Sequence, residues 1–166
     1  MGSWRDVPKL ELRNECKLKL RNECTDFLSG AARGFYAPEP EGPADHYAAC
    51  LQGVALLERL CYQVLDGVAG TPGQAVYNTG GGSRSDVWVR CRAAATGRTI
   101  HRPCCAESAF GAAVLAAAGL TGASLGETIQ QMVRIERTFT PEPARSVQYA
   151  DLFGRFCDEL RKRGYL

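Results

Sequence analysis

Asn78-Thr79-Gly80-Gly81-Gly82-Ser83-Arg84-Ser85-Asp86 stands between a short β-prone run, Ala75-Val76-Tyr77, and a segment of helical pattern opening at Asp86. Three successive glycines clear side chains from a place where a ligand could lie against the backbone. The helix start that follows presents N–H groups without intrahelical partners, an arrangement that receives phosphate or a polar ring. Gly80, Gly81, Gly82, Ser83, Ser85 and Asp86 are therefore the candidate ligand-binding residues. The stretch is neither a Walker loop, since no Gly-Lys-Ser/Thr follows, nor a Rossmann Gly-x-Gly-x-x-Gly fingerprint.

Downstream, the helix is expected over Asp86 to Thr96 with Gly97 as its stop and Val87, Trp88, Cys91, Ala94 and Ala95 as its inner face. A second strand, Arg98–Arg102, is closed by Pro103. A helix rich in Ala and Gly is expected over Ala106–Ala118, with Glu107 as a cap. Ser124-Leu-Gly-Glu127 is a capping box for a fourth helix, with Ile129, Met132, Val133 and Glu136 continuing at helical spacing. A last helix from about Glu142 carries Val147, Ala150, Phe153, Phe156, Cys157 and Leu160.

Upstream, residues 33–45 read as a Pro/Gly loop, and a long helix follows with Asp45 as its N-cap. Tyr47, Cys50, Leu51, Val54, Leu57, Cys61, Val64 and Val68 fall at three- and four-residue steps and predict its buried face, with Gln52, Arg59, Gln63 and Asp66 on the other. Residues 1–33 form an atypical head: Lys9–Cys16 and Lys17–Cys24 are near-identical octads whose alternating leucines suggest two short strands of a hairpin. The head's first 24 residues hold 6 basic and 4 acidic residues and so carry the whole net charge of +2.

Alternating strands and helices predict an α/β unit with a small parallel sheet, with the strands near 75–78 and 98–102 parallel. At 166 residues the chain is one domain by length, and 45% apolar with 23% charged residues is ordinary globular composition. A net charge of +2 is too balanced for an electrostatic nucleic-acid binder, and no apolar run reaches the length of a membrane span. The eight cysteines include no Cys-x-x-Cys, and the two histidines, His46 and His101, complete no closed zinc pattern, so no metal ligand is assigned. Reduced thiols in a cytoplasmic protein are expected; Cys50, Cys61, Cys91 and Cys157 sit in helical patterns as small hydrophobes.

From Gly80 through the helix to Thr96-Gly97-Arg98, Pro103 and Glu107-Ser-Ala-Phe-Gly-Ala-Ala-Val-Leu-Ala-Ala-Ala-Gly119, the sequence resembles the carboxyl-terminal domain of the FGGY family of carbohydrate kinases. His46–Ala55 upstream and the segment from Met132 to Tyr149 downstream are also similar to it, so the resemblance covers about residues 34–160 within a unit of 34–166. It implies part of a ribonuclease-H-like domain of the actin and sugar-kinase type. It implies ATP with Mg2+ as cofactors, with Gly81, Gly82 and Ser83 against the adenosine and α-phosphate and Asp86 near the adenine edge. ATP or ADP is the implied ligand, and a sugar or polyol the implied phosphoryl acceptor.

The departures bear on activity. The family's Asp-x-Gly-Thr phosphate loop and its Gly-x-Asp-Gln catalytic context are absent from these 166 residues, so no catalytic residue is assigned. The expectation is the nucleotide-binding portion of a kinase, inactive without a sugar-binding domain. The alternative is a non-catalytic assembly protein. Unpaired strand edges in so small a sheet predict a homo-oligomer or a complementary chain.

Overall fold

The computed structural model describes Lys17–Leu18, residues 32–73 and residues 75–166. The first octad and most of the second lie outside the described residues. Strand β1 (Lys17–Leu18) pairs antiparallel with β2 (Phe35–Tyr36). Helix α1 (Pro43–Ala69) follows, then β3 (Ala75–Tyr77), α2 (Asp86–Thr96), β4 (Thr99–Pro103), α3 (Ser108–Thr121), α4 (Leu125–Met132), β5 (Ile135–Phe139) and α5 (Pro143–Lys162).

β3 and β4 are parallel, with Val76 opposite Ile100, as the strand–helix–strand order predicts. The sheet as a whole is mixed, which corrects the expectation of a parallel one: β5 adds antiparallel to β4, with Ile100 opposite Phe139. α4 stops at Met132, so Glu136 is in a strand and not on a helix. Val133 to Glu136 alternates apolar and polar residues, and pairing with β4 satisfies the backbone that helix would otherwise use.

One face of the sheet packs on α2 through Val76, Val89, Ala93, Ile100 and Phe139. Period-two alternation turns Tyr77 and His101 to the opposite face, where their rings lie 5.3 Å apart. The main core joins α1, α2 and α5 through Leu56, Leu60, Cys91, Phe153, Phe156 and Leu160. Inside it Tyr149 Oη and Cys91 Sγ share a hydrogen bond of 2.9 Å, and burial raises the pKa of both groups.

α1 buries a face that overlaps the predicted one at Leu57, with Cys61 packed at its edge, but is otherwise rotated from it and takes in Gln52, which was expected outside. Ala49, Gln52, Gly53, Ala55, Leu56, Leu57 and Leu60 are buried, whereas Tyr47, Val54, Val64 and Val68 are exposed. Apolar residues surround this helix, so the choice of face falls to the partners, and small residues let α2 approach closely. Arg59, expected outside, donates to the Ala95 carbonyl and stacks on Phe153. α1 starts at Pro43 with Gly42 as N-cap, ahead of the expected Asp45, because proline is pre-organised for the first helical position. Part of the expected loop, Phe35–Tyr36, is strand, with Phe35 in the core. The bounds of α2 and its Gly97 stop follow the prediction, but its buried residues are Val89 and Ala93 beside Cys91, Ala94 and Ala95, with Val87 and Trp88 only half-buried; α3 runs Ser108–Thr121 and not 106–118; and the Ser124–Glu127 capping box forms with both reciprocal bonds.

Candidate functional site

The glycine stretch leaves the carboxyl end of β3. Asn78 N–H extends the β3–β4 ladder by donating to the His101 carbonyl at 2.9 Å, and Gly80 N–H donates to the Ala106 carbonyl at 2.7 Å. Gly80 has φ +83° and ψ 180°, a region that glycine adopts and side-chain-bearing residues avoid. That turn aims the chain into one 3-10 turn, Gly81–Arg84, which leads directly into α2. Gly80→Ala is expected to cost about 1–3 kcal/mol of folding stability, read from urea denaturation; an unchanged midpoint would remove the conformational requirement at this position.

The six predicted residues come together but divide into two groups. Gly80, Gly81 and Gly82 are exposed, and a Cβ built on Gly81 meets nothing within 4 Å. Ser83 is fully buried, with its hydroxyl donating to the Gly80 carbonyl at 2.6 Å. Ser85 caps α2, its Oγ accepting from Trp88 N–H at 3.3 Å. Asp86 accepts from Arg102 at 2.8 Å and from Arg137. The serine and aspartate side chains thus hold the loop, and its outward surface is glycine backbone. Amides at the start of the 3-10 turn and of α2 lack intrahelical partners and give that surface a positive character.

Residues that local reading missed brace the loop. Arg102, at the end of β4, donates to the Ser83 carbonyl at 3.0 Å and to Asp86, and pairs with Glu136 at 3.1 Å. Arg92 reaches Glu58 through two bonds of 2.6 Å and donates to Asn78 Oδ1 at 2.6 Å. The Arg92 bond fixes the orientation of the Asn78 amide and leaves its buried Nδ2 without a partner among the described residues. These links span 14 to 34 residues, and no spacing rule signals them. Glu107 occupies the N-cap of α3, as expected, but its carboxylate accepts from Arg84 and not from the helix.

Two cavities flank the loop. A groove of about 550 Å³, mostly apolar, runs from Tyr77 and Thr79 to Phe110, Val114 and Leu115. A polar pocket of about 300 Å³ is lined by Ser83, Arg84, Arg102, Glu107 and Glu136. The three carboxylates beside the loop, Asp86, Glu107 and Glu136, are each held by arginine. No group of three or more His, Cys, Asp or Glu that could hold a metal occurs among the described residues. His101 bonds Thr138 at 3.0 Å through Nδ1 and stacks on Tyr77, a structural placement. The six described cysteines are free thiols, and no described helix is long and apolar enough to cross a membrane.

A family model for the C-terminal domain of the FGGY carbohydrate kinases matches residues 20–120. The autoinducer-2 kinase of Salmonella typhimurium (strain LT2) is 30% identical over 114 residues, covering 68% of this chain and 22% of that protein. The autoinducer-2 kinase of Escherichia coli (strain K12) is 36% identical over 74 residues, 43% of this chain and 14% of that one. Among solved structures, xylulose kinase from Rhodospirillum rubrum matches with a TM-score of 0.66 at 27% identity, over 80% of this chain and 28% of the other. A xylulose kinase from Brucella ovis matches with a TM-score of 0.65 at 32% identity, over 78% and 27%. The α/β unit therefore shares the ribonuclease-H-like ATPase architecture of sugar kinases, and it spans about a quarter of their length or less.

Proposed function

The chain belongs to the FGGY family of carbohydrate kinases, and on that premise we propose that it supplies the adenine-nucleotide-binding portion of an ATP-dependent kinase for a sugar or polyol. The observation that carries this reading is the exposed Gly80–Gly82 backbone at the carboxyl end of β3, running straight into the open amino end of α2. Gly81 and Gly82 leave room for adenosine, and the first amides of α2 face a phosphate. Thr79 and the apolar groove beside it offer a wall for a purine ring. When bound, ATP supplies the transferable γ-phosphoryl group. This chain's residues bind and orient. The acceptor site, the base on the sugar hydroxyl and the ligands for Mg2+ belong to other parts of such a kinase. A cytoplasmic setting accords with the free thiols.

Half of an enclosed site binds loosely, since the contacts and pre-organisation of the opposite wall are missing. Isothermal titration is expected to give an ATP dissociation constant of roughly 0.1–1 mM, and a coupled assay against several sugars and polyols to show no phosphorylation by the chain on its own. Gly82→Val is expected to abolish the binding. A Cβ there sits 3.4 Å from the Trp88 ring, so urea denaturation of the variant is measured beside the titration to separate a loss of ligand space from a loss of fold. Unchanged affinity in Gly82→Val would remove the site, and robust turnover would mean a catalytic carboxylate within this sequence.

A second reading, a non-catalytic assembly protein, draws on exposed apolar side chains such as Val68 and Leu120 and on the outer edge of β3. A homo-oligomer or a complementary chain would cover that edge. Light scattering separates the readings: a dimer indifferent to ATP favours assembly.

A further inference from the structure

The surroundings of the six described cysteines divide them. Cys91 and Cys157 are buried in the main core, where burial pushes both thiols up and away from the reactive thiolate. Cys50 and Cys61 are half-buried on α1. Cys104 and Cys105 are both exposed, adjacent in the chain, and directly follow Pro103 at the end of β4. Both line the polar pocket, and Cys105 also lines the apolar groove. Residues 104–107 belong to no helix or strand. Two backbone bonds bracket the pair instead: Cys104 N–H donates to the Arg134 carbonyl at 2.8 Å, and Gly80 N–H donates to the Ala106 carbonyl at 2.7 Å.

We propose that Cys104 and Cys105 form a reversible oxidation site, at which a hydroperoxide closes the adjacent thiols into a disulfide that draws the Ala106 carbonyl away from Gly80. The effect on a nucleotide rests on the reading of Gly80–Gly82 as its site; the oxidation and the shift at Gly80 do not.

The step balances with the hydroperoxide as oxidant. One thiolate sulfur attacks a peroxide oxygen, the O–O bond breaks, and the leaving oxygen takes up the proton that the thiol shed. The neighbouring sulfur then attacks the sulfenic acid so formed. The S–S bond forms, the S–O bond breaks, and the hydroxyl departs as water with the second thiol's proton. Two thiols lose two electrons, and the peroxide gains them. Adjacent Cα atoms lie about 3.8 Å apart across a trans peptide, whereas disulfides usually join Cα atoms about 4.4–6.8 Å apart. The closed ring is therefore strained, and a strained, exposed disulfide is readily reduced again. Closing it turns the peptide between the two cysteines. With Cys104 anchored on Arg134, the turn is passed on to Ala106, one residue beyond the ring, and so to the bond that holds Gly80.

The full chain is reduced, freed of reductant, treated with equimolar hydrogen peroxide and blocked with N-ethylmaleimide. Trypsin releases residues 99–134 as one peptide that holds Cys104 and Cys105 and no other cysteine. Mass spectrometry is expected to find it lighter by two hydrogen atoms and without maleimide, and to find maleimide labelling restored after dithiothreitol. Its oxidation should run roughly tenfold ahead of that at the half-buried Cys50 and Cys61. By NMR, hydrogen exchange of the Gly80 amide should quicken severalfold on oxidation, and stay unchanged under the same treatment in Cys105→Ser. The ATP dissociation constant should rise severalfold in the oxidised chain. A reduced chain that binds no ATP would remove the nucleotide reading, while the peptide and the Gly80 amide still decide the proposal. A peptide labelled at both thiols after peroxide, oxidation to sulfinic acid without the bridge, or a bridged chain with unchanged Gly80 exchange would overturn it.

Discussion

Phe156→Ala is expected to remove about 3–5 kcal/mol of folding stability, the range for truncating a buried aromatic side chain. Phe156 has no solvent exposure, sits at the centre of the cluster joining α1, α2 and α5, and its ring centroid is 6.2 Å from that of Phe153. Domains of this size hold only about 5–15 kcal/mol in total, so the variant would stand near the unfolding threshold at 37 °C. Val147→Ala on the same helix is the control. Its side chain is exposed, and a change within about 0.5 kcal/mol is expected. Urea denaturation followed by far-ultraviolet circular dichroism measures both. A loss below about 1 kcal/mol at Phe156 would mean that α5 is not packed on α1 and α2.

Glu58→Ala is the second large effect. The Arg92–Glu58 pair is bidentate, and its side chains retain 14% and 17% exposure. The carboxylate holds Arg92 charged, raising its pKa through the hydrogen bonds between them. Removing it leaves a mostly buried guanidinium with Asn78 as its remaining polar partner among these bonds. Breaking a fully buried pair costs about 3–5 kcal/mol; with water still reaching this one, about 2–3 kcal/mol is expected. Arg92→Met in the Glu58→Ala background should recover part of the loss, because the stranded charge is gone. Simple additivity of the two substitutions in a double-mutant cycle would show that the pair is not coupled. The same variant bears on the glycine loop, since Arg92 anchors Asn78 at its root.

The residues that announce themselves locally were legible. Gly97 ends α2 at positive φ and Ser124 begins α4 with a side-chain cap, as read; Gly122, which ends α3 three residues past the expected Ala118, and Ser85, which caps α2, were not read in these roles. Each works through neighbours within a few positions, so the short-range pattern contains the whole interaction. The glycine loop and the strands on either side of its helix were legible for the same reason. The buried face of α1 was not, because Val54, Val64 and Val68 compete with Ala49, Ala55 and Leu56, and only the packing of α2 and α5 decides between them. β5 was hidden by an apolar spacing through Val133 that fits a helix as well as a strand until β4 offers its edge. At the site, spacing located Gly80 to Asp86 but could not show that Ser83 turns inward or that Asp86 is claimed by Arg102 and Arg137, since those partners come from β4 and β5.

α3 is apolar around its whole circumference, yet Val114 is its one buried residue, and its substantial element-to-element contact among the described residues is with α4. The α3–α4 pair therefore has its own free-energy scale, set by one shared seam and not by the core that Phe156 anchors. Such a unit is expected to open on its own more readily than the rest of the molecule unfolds, which amide hydrogen exchange over α3 and α4 would read. Gly80 N–H is tied to the Ala106 carbonyl just ahead of α3, so each opening tugs on the loop that the nucleotide would meet. Were the loop to hold a nucleotide, its occupancy and the closure of the helical pair would be linked thermodynamically: whatever steadies one would make the other more frequent.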